Sequence, residues 1–329
     1  MPTSVLICDD SGFARKQLAQ TLPQDWDVSV SFAANGIEAL AAIKAGRGDI
    51  LFLDLNMPDM DGYEVLQAIR QQDLPTMVIV VSGDIQPAAR ARVMKLGALD
   101  FLKKPLAQGD ISTLLKKYGI HHTVTTATKS IAVDVDAADG YKEIANIAMG
   151  QAADLLARLL DAFVIMPVPR VKIMQPAELS LAIERFVRHE ACTGVCQGFI
   201  GSGIAGEALL VFTQSRYSDI AELLKYTGKI GDAEQAELLT DIANIIIGAS
   251  LKGIADQLDF SLSQSYPRVL GQRAETLQLL QRNSARWTPT LTIEMSCSIE
   301  NREISCKLLL LFTEDSIKPL NTRISYLAH

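Results

Sequence analysis

Hydrophobic and polar positions divide this chain into two parts with different rhythms. Over residues 3–118, short apolar and β-branched runs alternate with stretches at helical spacing. The runs are SVLIC (4–8), VSVSF (28–32), ILFLDL (50–55), MVIVVS (77–82) and DFLKK (100–104); between them lie 11–22, 36–45, 60–71 and 87–96, and 108–118 closes the unit. Near-continuous apolar strands separated by helices predict an α/β fold, a doubly wound five-stranded parallel sheet covered on both faces. GIHHTVTTATKS (119–130) then breaks the periodicity and reads as a linker, so domains are expected at 1–120 and 131–329 with a linker at 121–130.

Beyond residue 131 the rhythm changes to long helices (137–160, 232–258) and antiparallel-looking hairpins. Strands are predicted at 163–174, 193–201, 206–213, 260–270, 290–299 and 303–313, with helical stretches at 176–186 and 273–282. The expected fold is α+β with antiparallel strands, and the sequence repeats itself. EIANIAMG at 143–150 returns as DIANIIIG at 241–248, and at the same offset of 98 Asp161 matches Asp259 and Pro169-Arg170-Val171 matches Pro267-Arg268-Val269. LLVFT (209–213) recurs as LLLFT (309–313), now offset by 100. Two halves, about 137–227 and 235–325, related by an internal pseudo-twofold, are the economical reading.

At 100° per residue, Asp139, Glu143, Asn146, Gly150, Ala153 and Ala157 share one stripe of the first long helix. Glu237, Asp241, Asn244, Gly248, Leu251 and Ala255 share it in the second. The opposite arcs are apolar (Ile144, Ala148, Leu155, Leu159; Ile242, Ile246, Ile247), so both polar stripes are expected to face solvent. Asparagine favours caps and turns over helix interiors, and two mid-helix copies three residues after an acid point to a use.

Composition narrows the choice of chemistry. The chain is 48% apolar and 21% charged, as ordinary globular protein is. Net charge of −7 and the lack of a basic groove-reading helix argue against a nucleic-acid partner. No basic leader and no long apolar run are evident, so a cytoplasmic location without membrane insertion is expected. Five scattered cysteines form no disulfide framework, and His189 with Cys192 and Cys196 lacks usual zinc spacing.

Ligands of parallel sheets gather beyond the carboxyl ends of the strands. Here those ends carry Asp9 and Asp10, Asp54, Ser82, and Lys104 before Pro105. Three converging carboxylates need a cation, and hard oxygen ligands favour Mg²⁺. Asp54 is central enough to attack a phosphoryl group, and Ser82 and Lys104 could contact its oxygens.

With these residues, 3–120 resembles the response-regulator receiver family. The resemblance implies that Asp54 is the phospho-acceptor, supplied by a sensor histidine kinase. It gives Asp10, Asp54 and the Asn56 carbonyl to Mg²⁺, with Asp9 helping through water. It makes Ser82 and Phe101 the switch pair. Asn56 and Asp84 resemble the amide/acid pair of CheY-type chemotaxis receivers, and Gly83 leaves room above the phosphate. Over 131–325 the chain resembles the CheC/CheX/FliY phosphatases, whose Asp/Ser-x3-Glu-x2-Asn-x22-Pro signature is met by Asp139, Glu143, Asn146 and Pro169. The later copy departs, with Glu237 and the shorter Asp241 ahead of Asn244.

That resemblance implies a hydrolase in which Asn146 or Asn244 orients water on an aspartyl phosphate while Glu143 or Asp241 pairs with the receiver's lysine. The first site is expected to be active and the second weakened. A separate phosphorylated CheY-like receiver is the preferred substrate over the fused one, and a homodimer is a further expected partner. The alternative is a non-catalytic CheC-like module docking on flagellar-switch or chemoreceptor proteins.

Overall fold

The computed structural model describes residues 2–107, 109–120, 137–186, 193–270 and 289–327. The linker at 121–130, the helical stretch at 273–282, and His189 and Cys192 lie outside the described residues. The chain separates into two units, Met1–Ile147 and Ala148–Leu327.

In the first unit the strands are β1 (Thr3–Cys8), β2 (Val28–Ala33), β3 (Ile50–Leu53), β4 (Met77–Ser82) and β5 (Asp100–Lys103). Between and after them run α1 (Gly12–Thr21), α2 (Gly36–Lys44), α3 (Gly62–Gln71), α4 (Pro87–Leu96) and α5 (Asp110–Lys117). The sheet order is β2-β1-β3-β4-β5 with every pair parallel, as the strand–helix alternation predicts. Strand periodicity of two sends alternate residues to opposite faces. Leu6, Leu51, Leu53, Val78 and Val80 join one core with α2 and α3, while Val5, Ile7, Phe52, Ile79 and Val81 join another with α1 and α5.

Caps fix where the helices start. Ser11 Oγ accepts from Ala14 N at 3.1 Å, beginning α1 directly after Asp9 and Asp10. Asp61 and Glu64 form a reciprocal capping box on α3, a feature worth about 1 kcal/mol. The unit ends in the first part of α6 (Ala137–Leu160), whose remainder belongs to the second unit.

The second unit continues with β6 (Val164–Ile165), β7 (Arg170–Met174), α7 (Pro176–Phe186), β8 (Thr193–Gly201), β9 (Ile204–Ser215), α8 (Tyr217–Leu223) and α9 (Asp232–Gln257). It ends with β10 (Ser263–Gln264), β11 (Arg268–Val269), β12 (Thr290–Ile299), β13 (Ile304–Phe312) and α10 (Glu314–Leu327). One antiparallel sheet runs β10-β8-β9-β13-β12-β6, with β11 also on β8 and β7 also on β12. Its central pair sets Leu209 opposite Leu309. Leu209, Val211, Leu309 and Leu311 pack with Leu179 and Ile183 of α7, and the alternate Leu210, Phe212, Leu308, Leu310 and Phe312 are buried as well. Both faces of the centre are therefore covered, which explains the unbroken apolar runs.

The expected strands 163–174 and 260–270 are each two short pieces. Pro167 and Pro169 interrupt the first and Pro267 the second, because proline has no N–H to give a ladder. Helices α8 and α10 were not anticipated; Pro319 inside α10 reads as a breaker in sequence. Against the expectation that no apolar segment is long enough, α9 is long and apolar enough to cross a membrane. Yet 67% of its apolar window is buried inside the fold, the situation of a core helix. Gly253 of α9 abuts the Ala148 backbone so closely that a methyl there would strike the Ala148 carbonyl.

Candidate functional site

Three parallel strands deliver the acids and the lysine to one edge. Asp54 N donates to Cys8 O at 2.9 Å and Lys104 N to Ser82 O at 2.9 Å, so both side chains sit one step beyond the ladder that orients them. Lys104 Nζ lies 2.7 Å from Asp9 Oδ2 and 3.5 Å from Asp54 Oδ1. Asp9 is held from the other side, its Oδ1 accepting from Ser11 N at 2.9 Å. Arg15, which the sequence reading missed, donates to the Asp9 carbonyl at 2.6 Å. Ser82 is fully buried and its Oγ accepts from Asp84 N at 3.1 Å. Asp84 in turn accepts from Gln86, also missed. Phe101 is half-buried against the core beside β4.

Helix α6 adds two further groups to this cluster. Glu143 Oε1 lies 3.1 Å from Lys104 Nζ, and Asn146 is buried one turn on. The expectation of an exposed stripe is thus corrected for the first copy. Glu143 and Asn146 are 1% and 4% exposed, Gly150 and Ala153 are buried, and Asp139 is half-buried, whereas Leu159 of the supposed core arc is 55% exposed. At Glu143 the stripe turns inward because it meets Lys104 of the strand-end cluster instead of water.

The electrostatics of the cluster are unbalanced. Asp9, Asp10, Asp54 and Glu143 crowd one ammonium. Burial works to lower Lys104, but Asp54, Asp9 and Glu143 outweigh it and hold the lysine well above its usual value. Burial pushes Asp54 up, against the pull of Lys104 and with help from Asp9. Burial likewise lifts Glu143 to about 7 and Asp10 to about 6, with Asp9 adding to both. One buried lysine cannot balance four carboxylates, so Lys104 stays charged and the acids are short of counter-charge among the described residues.

That shortfall is the test of whether Mg²⁺ fits. Asp9, Asp10 and Asp54 each offer an oxygen within 4.8 Å of the others, and both Asp54 oxygens are buried without a hydrogen-bond partner among the described residues. An oxygen-only, acid-rich and underpartnered cluster suits a hard divalent cation. Asp9, Asp10 and Asp54 would hold it, with Asn56, half-buried two residues after Asp54, the expected carbonyl ligand. Once bound, Mg²⁺ would neutralise charge shared between the carboxylates and a phosphoryl group.

The second copy stands otherwise. Asp241, Asn244 and Glu237 are exposed on α9, as expected, while Ile242, Ile246 and Ile247 are buried behind them. Farther along the same stripe Leu251 and Ala255 are buried. Asn244 Oδ1 accepts at 3.1 Å from Nε2 of Gln197, a residue 2% exposed that also donates to Ser265 O at 2.7 Å. Gln197 escaped the sequence reading because a polar residue at one strand position carries no signal by itself. Pro169 is buried and Pro267 half-buried, each just before its short strand.

Comparison with known proteins bears on the strand-end cluster. The response regulator receiver domain family matches residues 5–116. The N-terminal domain is a CheY-like receiver. Among curated relatives, a protein-glutamate methylesterase/protein-glutamine glutaminase of Anaeromyxobacter dehalogenans is 39% identical over 111 residues, 33% of this chain and 32% of that protein. One of Bacillus licheniformis is 40% identical over 116 residues, 34% of this chain and 32% of that protein. The chain thus spans about a third of the length of the curated relatives it matches. Among solved structures, a chain of the CheX-CheY-BeF3-Mg+2 complex of Borrelia burgdorferi matches with 32% identity and TM-score 0.34, over 36% of this chain and 90% of that one.

Proposed function

We propose that this chain is a phosphorelay regulator of chemotaxis signalling, a receiver at 1–120 fused to an aspartyl-phosphate phosphatase at 131–329. In this reading Glu143 and Asn146 promote hydrolysis of the phosphate on Asp54. The observation that carries it is the 3.1 Å approach of Glu143 to Lys104, with Asn146 buried one turn along the same helix. The sequence preferred a separate receiver as substrate; this ion pair favours the fused one for the first copy.

The chemistry is a two-step transfer. In loading, an Asp54 oxygen bonds to phosphorus while the bond from phosphorus to the donor, a phosphohistidine of a sensor kinase, breaks. In unloading, a water oxygen bonds to phosphorus, the Asp54 O–P bond breaks, the carboxylate is restored and phosphate departs with the water's proton. Phosphoryl transfer has a loose transition state, so placing the water matters more than a strong base. Asn146 Oδ1 is a buried acceptor without a protein partner among the described residues, suited to take a hydrogen from that water. Glu143 holds Lys104, and Lys104 and Ser82 meet the phosphoryl oxygens.

The methylesterase names belong to relatives whose match is the size of the receiver, so they support the regulator half alone. They say nothing of the output half, which lies outside the match. An internal duplication of that half is supported by features spaced as the sequence repeat is. Asp161 and Asp259 both end their helices at positive φ (48° and 51°). The helix-ending bonds Ala162 N to Ala157 O and Phe260 N to Ala255 O recur at the same offset.

A second reading rests on the exposed Asp241 and Asn244: α9 acts on a separate phosphorylated receiver. The test of the main reading is the decay of phosphate on the full chain, loaded with acetyl phosphate and Mg²⁺. Asn146→Ala should slow it about 10–100-fold. Equal decay would leave α6 a docking element, as in the non-catalytic alternative that binds flagellar-switch or chemoreceptor proteins.

A further inference from the structure

We infer that Gly83 is the seat on which helix α6 closes over Asp54, and that the helix must leave this seat before Asp54 can be phosphorylated. Closure is visible in the burial of the acceptor. Asp54 is 2% exposed, neither of its carboxylate oxygens reaches solvent, and Ser82 and Lys104 beside it are buried too. An incoming donor must bring its phosphorus to an Asp54 oxygen in line with its own leaving group, which a covered carboxylate does not allow.

Gly83 sets how close the cover comes. A Cβ built there would stand 3.0 Å from Ile147 Cα, 3.3 Å from Asn146 O and 3.5 Å from Ile147 N. All three atoms are helix backbone, which cannot swing aside as the end of a flexible side chain can. Gly83 is absent from the glycines at positive φ, so its own backbone accepts a side chain without strain. Among the described residues, the three atoms nearest a Cβ at this position all belong to α6. The contact falls on Asn146 itself, one turn from Glu143, so a wedge at 83 displaces both groups from the cluster together.

Two steps of the cycle therefore make opposite demands on one contact. Loading needs the helix off the seat, and unloading needs it on. The unloading half rests on the function proposed above; the loading half does not.

The test uses the full chain with Mg²⁺ and acetyl phosphate, in which an Asp54 oxygen bonds to phosphorus as acetate leaves. Gly83→Ala and Gly83→Val are compared with the parent protein for initial loading rate, for phosphate decay after donor removal, and for hydrogen exchange of amides 141–147. The expected result is graded by side-chain size: loading several-fold faster, decay slower, and exchange protection of 141–147 reduced, more for Val than for Ala. If Gly83→Val folds poorly, the Ala variant carries the same test with a smaller shift. Unchanged loading and unchanged protection in a folded variant would overturn the seat. Faster loading with decay insensitive to both Gly83→Val and Asn146→Ala would uphold the seat and overturn the phosphatase.

Discussion

Helices α6 and α9 carry almost the same octapeptide and meet opposite surroundings. On α6, Glu143 and Asn146 are buried, the acid paired with Lys104 and the amide oxygen unpartnered. On α9, Asp241 and Asn244 are exposed, and the amide oxygen is already taken by Gln197. Helical periodicity determines which residues share a face; it does not determine what that face meets. An amide with an open acceptor beside four acids and a lysine is equipped to hold a water on a phosphoryl group. An amide tethered to a glutamine at the surface is equipped to wait for a partner.

The largest effect tests the premise that one acceptor serves the comparison. Asp54→Asn should reduce phosphate incorporation from acetyl phosphate at least about 100-fold, since an amide is no nucleophile toward phosphorus. Chelation of Mg²⁺ should do nearly the same in the parent protein, because burial and neighbouring acids outweigh the lysines at Asp54 and Asp10. Incorporation that survives Asp54→Asn would mean the site described is not the one loaded.

Next in size is the contrast between the helices in the fused receiver. Glu143→Gln or Asn146→Ala should lengthen the life of phospho-Asp54 about 10–100-fold, read as phosphate release from the loaded chain. Asp241→Asn and Asn244→Ala should change it less than about twofold, as substitutions at exposed positions usually do. Equal lengthening by both pairs would erase the distinction between the helices.

How far the sequence anticipated this contrast differs between the units. The receiver sheet was legible because each apolar run is a strand, and right-handed crossovers leave few parallel orders, so Asp9, Asp54, Ser82 and Lys104 had to share an edge. The pairing of Glu143 with this chain's own Lys104 was not, because 38 residues lie between them, including a stretch without periodic pattern. The exposure of Leu159 misled for a related reason: an arc of apolar residues was read as facing a single core, while α6 is buried on its polar side as well. The broken strands at Pro167, Pro169 and Pro267 were readable, and proline chemistry there should have outweighed β-propensity.

A third test moves to turnover in trans. With a separate phosphorylated CheY-like receiver added to Asp54→Asn protein, Asn244→Ala should lower phosphate release about tenfold and Asn146→Ala less than about twofold. The reasoning is access: Asn244 is exposed, whereas Asn146 is covered by the chain's own strand-end cluster. A reversed ratio would place the working surface for separate receivers on α6 and require its release from Lys104.

The smallest effect concerns what holds Asn244 in place. Gln197 is buried and splits its amide between Asn244 Oδ1 at 3.1 Å and Ser265 O at 2.7 Å. Gln197→Leu keeps the volume and removes both bonds. A net hydrogen bond is worth about 1 kcal/mol, and exposed Asn244 can recover one from water, so stability should fall by about that amount. Freed from its tether, the Asn244 side chain samples several rotamers, only some of which aim the amide at a docked receiver. The same 1 kcal/mol corresponds to about a fivefold loss of trans turnover. Decay of the chain's own phospho-Asp54 should stay unchanged, because the Gln197 side-chain bonds among the described residues go to Asn244 and Ser265. Combining Gln197→Leu with Asn244→Ala should then cost no more turnover than Asn244→Ala alone, since a positioning residue has nothing left to position. Additive losses would assign Gln197 a contact with the receiver itself, and the tether would cease to explain why the two helices differ.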